Sequence, residues 1–228
     1  MKTKSSKQNL VIAIDGPAAS GKSTTARKVA QILNYLYIDT GAMYRALTLE
    51  VLNRKISEKN ETEVVKVAKE TSIQLVSGSD GPRTLLNGKD VSAKIRMPEI
   101  TRIISTISAF KEVRQIMKLK QRELAQNRGV VMDGRDIGTE VLPDADIKIF
   151  MVASTDKRTD RRVKELQEKR VPVDRESIKA EIIRRDLIDS TRDVAPLKPA
   201  EDAIIIDTSN LTIADQVQKV IDIVTQFS

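Results

Sequence analysis

Residues 16–23 read Gly-Pro-Ala-Ala-Ser-Gly-Lys-Ser, so Gly16, Gly21, Lys22 and Ser23 fit the pattern G-x-x-x-x-G-K-[ST]. Each part of the pattern has a physical task. Glycines at its two ends let the backbone of Pro17, Ala18, Ala19 and Ser20 turn tightly, with successive N–H groups pointing inward at phosphate oxygens. Lys22 brings a compact positive charge to the bridging phosphates, Ser23 offers a hydroxyl to Mg²⁺, and Thr24 completes the phosphate-binding stretch. A helix opening at Lys22 adds its positive end to the same anion. The pattern follows an apolar, strand-like run at Leu10–Ile14 and precedes a helical one, which is the context a phosphate-binding loop requires. These residues predict a nucleoside triphosphate site with Mg²⁺ as cofactor.

Composition narrows the remaining chemistry. The 228 residues contain no cysteine and no histidine, which removes disulfides, thiolate nucleophiles, imidazole bases and their metal sites. Lysine, arginine, carboxylates, hydroxyls and backbone remain, a set suited to anionic substrates. The net charge of +7 points the same way, with Lys2, Lys4 and Lys7 supplying part of it. Aromatic residues make up only 3%, too few for the stacking platforms of a single-strand nucleic-acid binder. No apolar run approaches the ~18 residues of a membrane helix, and the first apolar segment stops at Asp15, too soon for a signal-peptide core. A cytoplasmic protein with no nucleic-acid or membrane partner is expected.

The elements that must position these groups alternate. Strands are predicted at Leu10–Ile14, Tyr35–Asp39, Gly129–Asp133, Ile147–Val152 and Ala203–Ile206, and helices at 22–33, 42–55 and 110–127, with a closing helix through Ile213, Val217, Val220 and Val224. Thr212 and Asp215 make a capping pair for that last helix. Such alternation implies an α/β domain with a parallel sheet flanked by helices. Between 57 and 104 the character changes: Ile73–Val76 and Thr84–Leu86 are short strands, and Asn87-Gly88 is a hairpin signal, so a small antiparallel insertion is expected. A charged stretch over 156–192 reads as two helices joined near Pro172.

Tyr37-Ile38-Asp39-Thr40-Gly41-Ala42-Met43-Tyr44-Arg45 and Asp133-Gly134-Arg135-Asp136-Ile137-Gly138 closely resemble stretches of bacterial cytidylate kinases. So does the order of phosphate loop, D-[ST]-G-x-x-Y-R, inserted small sheet, D-G-R-D, arginine-rich segment and A-P-L, and the likeness runs from Leu10 onward. The resemblance implies a P-loop nucleoside monophosphate kinase fold: one domain with a core over 10–56, 105–155 and 193–228, a monophosphate-binding insertion over 57–104 and a helical lid over 156–192. It further implies transfer of the ATP γ-phosphoryl to CMP or dCMP by a monomer, within pyrimidine nucleotide metabolism.

The residue types agree with that chemistry, because arginine's planar fork binds phosphate bidentately. By the resemblance, Arg45, Arg135 and Arg192 clamp the CMP phosphate and Arg185 and Asp189 meet the ribose. The resemblance likewise assigns Ser105, Arg114 and Asp136 to the cytosine edge, with Thr40 as a further substrate-side hydroxyl. Arg158, Arg161 and Arg162 open the charged stretch and are expected to close over the ATP phosphates. Arg158 and Arg162 join Lys22 and Arg135 as the catalytic set. Asp133 resembles a carboxylate that reaches Mg²⁺ through water. Another monophosphate kinase, for UMP or AMP, and an ATP-switched nucleic-acid binder are the alternative readings.

Overall fold

Val11-Ile12-Ala13-Ile14-Asp15 is buried at every position, so it suits only a strand covered on both faces and paired on both edges. In the computed structural model, which describes residues 9–78, 81–168 and 170–227, this strand is β1 (Val11–Asp15) at the centre of a sheet. Its neighbours are β6 (Val130–Gly134) and β7 (Ile147–Val152), with β2 (Leu36–Asp39) and β8 (Ile204–Asp207) outside them. The order is β2-β6-β1-β7-β8, and every pairing is parallel. Register sets Val11 beside Val130, Ile12 beside Ile147 and Asp39 beside Asp133. The five strands predicted for this sheet are all found, each within a residue of its expected ends.

Helices cover both faces. On one, α1 (Lys22–Leu33) and α8 (Ile213–Gln226) bury Val29, Ala30, Val217, Val220 and Val224 against Ile12, Ile14 and Ile149. On the other, α2 (Thr40–Asn53) and α5 (Lys111–Ala125) pack Met43, Leu47, Val113 and Met117 against Val11, Ala13 and Met132. The capping pair of α8 forms as expected: the Thr212 hydroxyl accepts from the Asp215 N–H at 3.2 Å, and the Asp215 carboxylate accepts from the Thr212 N–H at 3.0 Å. The lysine-rich start with Lys2, Lys4 and Lys7 lies outside the described residues.

Between α2 and α5 lie β3 (Ile73–Gly78), β4 (Gly81–Leu86) and β5 (Lys89–Asp90), an antiparallel sheet whose last turn is Asn87-Gly88 with φ of 49° and 79°. The insertion also holds two helices that the sequence reading left out: α3 (Glu61–Glu70) and α4 (Pro98–Ala109). The dividing point placed after residue 104 therefore falls inside α4. Proline occupies the first turn of α4, and Ile100, Ile103, Ile104 and Ile107 bury one face of it at helical spacing. Six residues of its core run are isoleucine or threonine, whose strand preference masks that spacing. The charged stretch folds as α6 (Thr155–Glu168) and α7 (Arg175–Thr191). Among the described residues no helix is long and apolar enough to cross a membrane.

Candidate active-site cleft

Parallel sheets present ligands at the carboxyl ends of their strands, and here β1, β2 and β6 all end at one cleft of about 730 Å³. The loop after β1 forms one end. Gly16 has φ of +150°, and a Cβ there would sit 2.2 Å from the Met151 carbonyl oxygen. Gly21 has φ of +96°, and its Cβ would meet the Gln216 amide oxygen at 2.5 Å. Ala19 also takes a left-handed φ of 59°, so the loop adopts the alternating conformation that gathers N–H groups into an anion nest. Lys22 folds back and donates to the Pro17 carbonyl at 3.2 Å. Burial, and then the Arg135 charge, pull its ammonium below the usual lysine range, while Asp133 opposes them. A phosphate in the nest would favour the charged form.

The register of β2 with β6 explains the next layer. Ser23, the second residue of α1, donates from its hydroxyl to Asp133 Oδ2 at 2.7 Å, and Tyr37 donates to Oδ1 at 2.8 Å. Thr40 donates to the Asp133 backbone carbonyl at 2.7 Å. Burial, then Asp39, push the Asp133 carboxyl up. Ser23 and Asp133 thus set two hard oxygen groups side by side at the phosphate end, which fits a small divalent cation that keeps most of its waters.

At the other end, arginines and carboxylates interlock. Asp136 accepts from Arg114 through one oxygen and lies 3.7 Å from Arg192 Nη2 through the other. Arg114 also donates to the Ser108 carbonyl at 3.0 Å and stands 5.8 Å from the Tyr44 ring centre. Asp189 accepts from Arg135 Nε at 2.9 Å. Burial alone would raise the Asp189 carboxyl, but the Arg135 charge and hydrogen bond hold it below the usual range. Arg45 reaches across to the Thr101 hydroxyl at 2.9 Å, and burial with the Arg185 charge lowers its guanidinium to about 10. Arg192 donates through Nε to the Ala195 carbonyl, but its Nη2 has no hydrogen-bond acceptor. Arg185 Nε is likewise buried without one. Two buried N–H donors without acceptors are costly unless an acceptor arrives.

The cleft brings together Ala18, Ala19, Ser20, Gly21, Lys22, Ser23 and Thr24 at one end and Thr40, Arg45, Ser105, Arg114, Arg135, Asp136, Arg185, Asp189 and Arg192 at the other, with Asp133 and Arg162 lining it as well. Gly16 and Pro17 shape the loop from behind. Two of the three arginines expected above the phosphates stand outside the cleft. Arg158 is 4% exposed and ion-paired to Asp186, while Arg161 donates to the Ser20 carbonyl at 3.1 Å and to Thr208. Both approach the loop on its carbonyl side. Arg162 alone faces inward, paired with Glu165 at 2.7 Å.

Tyr37, Asp39, Tyr44 and Arg96 also line the cleft, and the sequence reading assigned none of them a role. A signal existed for two: Tyr37 and Asp39 flank the buried Ile38, and strand alternation turns them to the same face.

Sheet order, loop and cleft define this chain as a phosphate-loop kinase. Solved structures agree on the fold. An uncharacterized protein from Eubacterium ventriosum superposes with a TM-score of 0.52 at 13% identity, covering 96% of this chain and 99% of that one. Shikimate kinase from Acinetobacter baumannii superposes with a TM-score of 0.50 at 14% identity, covering 96% and 95%. Residues 12–226 match the family model described as cytidylate kinase. The cytidylate kinase of Geobacillus sp. strain WCH70 is 50% identical over 220 residues, spanning 96% of this chain and 98% of that protein. That of Bacillus cereus strain ATCC 10987 is 49% identical over 218 residues, spanning 96% and 97%. The chain belongs to the cytidylate kinase family.

Proposed function

We propose that this protein transfers the γ-phosphoryl group of ATP to CMP or dCMP, giving ADP and CDP or dCDP. The carrying observation is a single cleft with an anion nest at one end and, at the other, Arg185 and Arg192 with buried donors awaiting acceptors. Two anions held in one cleft turn a bimolecular collision into an aligned transfer.

The acceptor phosphate loses its second proton near pH 6, so its attacking oxygen is already charged at neutral pH. That is consistent with a chain that contains no histidine. Residues 16–24 hold the donor phosphates, and Lys22 follows charge onto the oxygen bridging the β- and γ-phosphates. Arg45, Arg135 and Arg192 hold the acceptor phosphate in line, with Arg162 turning from Glu165 to the transferring group. Arg185 and Asp189 hold the ribose. Asp136 accepts from the cytosine amino group, held in place by Arg114, while Ser105 and Thr40 supply hydroxyls at the base edge. A uracil carbonyl in that position faces a carboxylate and is repelled, so UMP is disfavoured. Ser23 and Asp133 would hold Mg²⁺, Asp133 through water; when bound it neutralises charge on the donor's phosphate oxygens. The working form is a cytoplasmic monomer that needs neither nucleic acid nor membrane.

The test is a coupled ADP-release assay with CMP, dCMP, UMP and AMP, run on the wild-type protein and Asp136→Ala. CMP and dCMP are expected to turn over fastest, and the substitution to lower kcat/KM more for CMP than for UMP. Equal rates with UMP and CMP would overturn the base assignment.

A further inference from the structure

Arg158 has five N–H donors, and all of them are spoken for. Nε donates to the Ala153 carbonyl at 3.1 Å, and Nη2 donates to the Thr155 hydroxyl at 3.3 Å. Nη1 reaches the Ala18 carbonyl of the phosphate loop at 3.3 Å. The two ends of the fork then grip Asp186 on α7 as a bidentate pair, Nη1 to Oδ1 at 3.0 Å and Nη2 to Oδ2 at 2.5 Å. The side chain is 5% exposed and stands outside the cleft, so moving it onto a phosphate would break a bidentate pair with the half-buried Asp186 and leave the buried loop contact unmade.

The contacts join the phosphate loop to α7 through one side chain of α6. Ala18 is in the loop whose N–H groups face the donor phosphates. The carbonyl that Arg158 binds belongs to the same peptide plane as the Ala19 N–H, so pinning the oxygen outward aims the N–H inward. Asp186 directly follows Arg185 on α7, one turn before Asp189. Resting on the reading that donor and acceptor nucleotides share this cleft, we infer that Arg158 is a positioning residue that couples the phosphate loop to the acceptor-side helix, rather than a group that touches the transferring phosphoryl.

The linkage has a direction-free consequence. An anion on the Ala19 N–H polarises the peptide and strengthens the Ala18 carbonyl as an acceptor. That tightens the fork, and through Asp186 fixes the part of α7 that carries Arg185 and Asp189. Binding of either nucleotide should therefore favour the other by the same factor. Arg161 provides a contrast: it also holds loop carbonyls, but its other partner is Thr208, after β8, so it does not reach α7.

The experiment is calorimetric titration of CMP into the intact protein, with and without saturating Mg²⁺ and the non-hydrolysable β,γ-imido analogue of ATP. Wild type is expected to bind CMP at least about five-fold tighter with the analogue present, within the usual range of such couplings. Arg158→Lys and Asp186→Asn are expected to bring that ratio to within about two-fold of unity, and Arg161→Lys to retain it. Asp186→Asn leaves the buried guanidinium and most of its contacts in place, so it reports even if Arg158→Lys fails to fold. A merely structural post would lower the melting temperature without changing the ratio. A wild-type ratio of one, or ratios unchanged in both substitutions, overturns the inference. So does a fall in kcat above about a thousand-fold with both affinities intact, the signature of a group acting only in the transition state. Absence of CMP binding to the wild type in either form would instead sink the substrate assignment.

Discussion

At the level of single residues, the phosphate loop was legible because its chemistry is contiguous: eight neighbouring positions carry the whole device, and nothing distant is needed to recognise it. Lys22 illustrates its energetic logic. The free ammonium is buried, depressed and folded onto a loop carbonyl, so it gains most when charge builds on a phosphate beside it. Lys22→Ala is expected to cost about 10²–10³ in kcat, comparable with losing one preorganised donor, and to leave CMP affinity nearly unchanged; steady-state kinetics and CMP titration check both halves. By contrast, the clamp on Asp133 joins Ser23, Tyr37 and Asp133 across 96 and 110 positions of sequence. No spacing rule reaches that far, and only the β2–β6 register brings the three together. Arg158 was visible as a basic residue near the phosphates, but its burial depended on Asp186 arriving from another helix, so its task could not be read from the chain.

Among the elements, β1 and β6 are the plainest in the sequence because burial on both faces writes an unbroken apolar run. The insertion shows what such reading misses. In α4 the isoleucines fall at helical intervals, yet their branched side chains and the neighbouring threonines favour strand, and tertiary packing decided the matter. Ile107, fully buried against the α2 and α5 side of the core, is the position where that packing can be measured. Ile107→Ala is expected to destabilise the fold by about 2–5 kcal/mol in denaturant unfolding. Leu119→Ala, on an exposed site of α5, should stay within about 0.5 kcal/mol. Because α4 also presents Ser105 to the cleft, the Ile107 substitution should weaken CMP binding more than ATP binding.

For the whole molecule, Asp15 links the halves of the site. Its carboxylate accepts from the Ile137 and Gly138 N–H groups at 2.9 and 2.8 Å, tying the end of β1 to the turn that bears Arg135 and Asp136. Burial raises its pKa to about 7 from a usual 3.8, with the backbone hydrogen bonds opposing the rise. Between those values the native state holds a proton that the unfolded chain has released. This group therefore makes stability fall as pH rises from about 4 to about 7, by at most about 1.4 kcal/mol per unit, with no further change above. Thermal melts across pH 5–8 should show Asp15→Asn gaining on the wild type as pH increases toward 7; a constant gap would refute the assignment. The same sheet order imposes a delay in biosynthesis. The strand at the sheet's centre is made about 120 and 135 residues ahead of its two partners. At ordinary translation speeds it waits roughly 6–24 s with both edges bare. During that interval the nascent chain carries an unpaired apolar ribbon, the kind of surface that holdase chaperones cover.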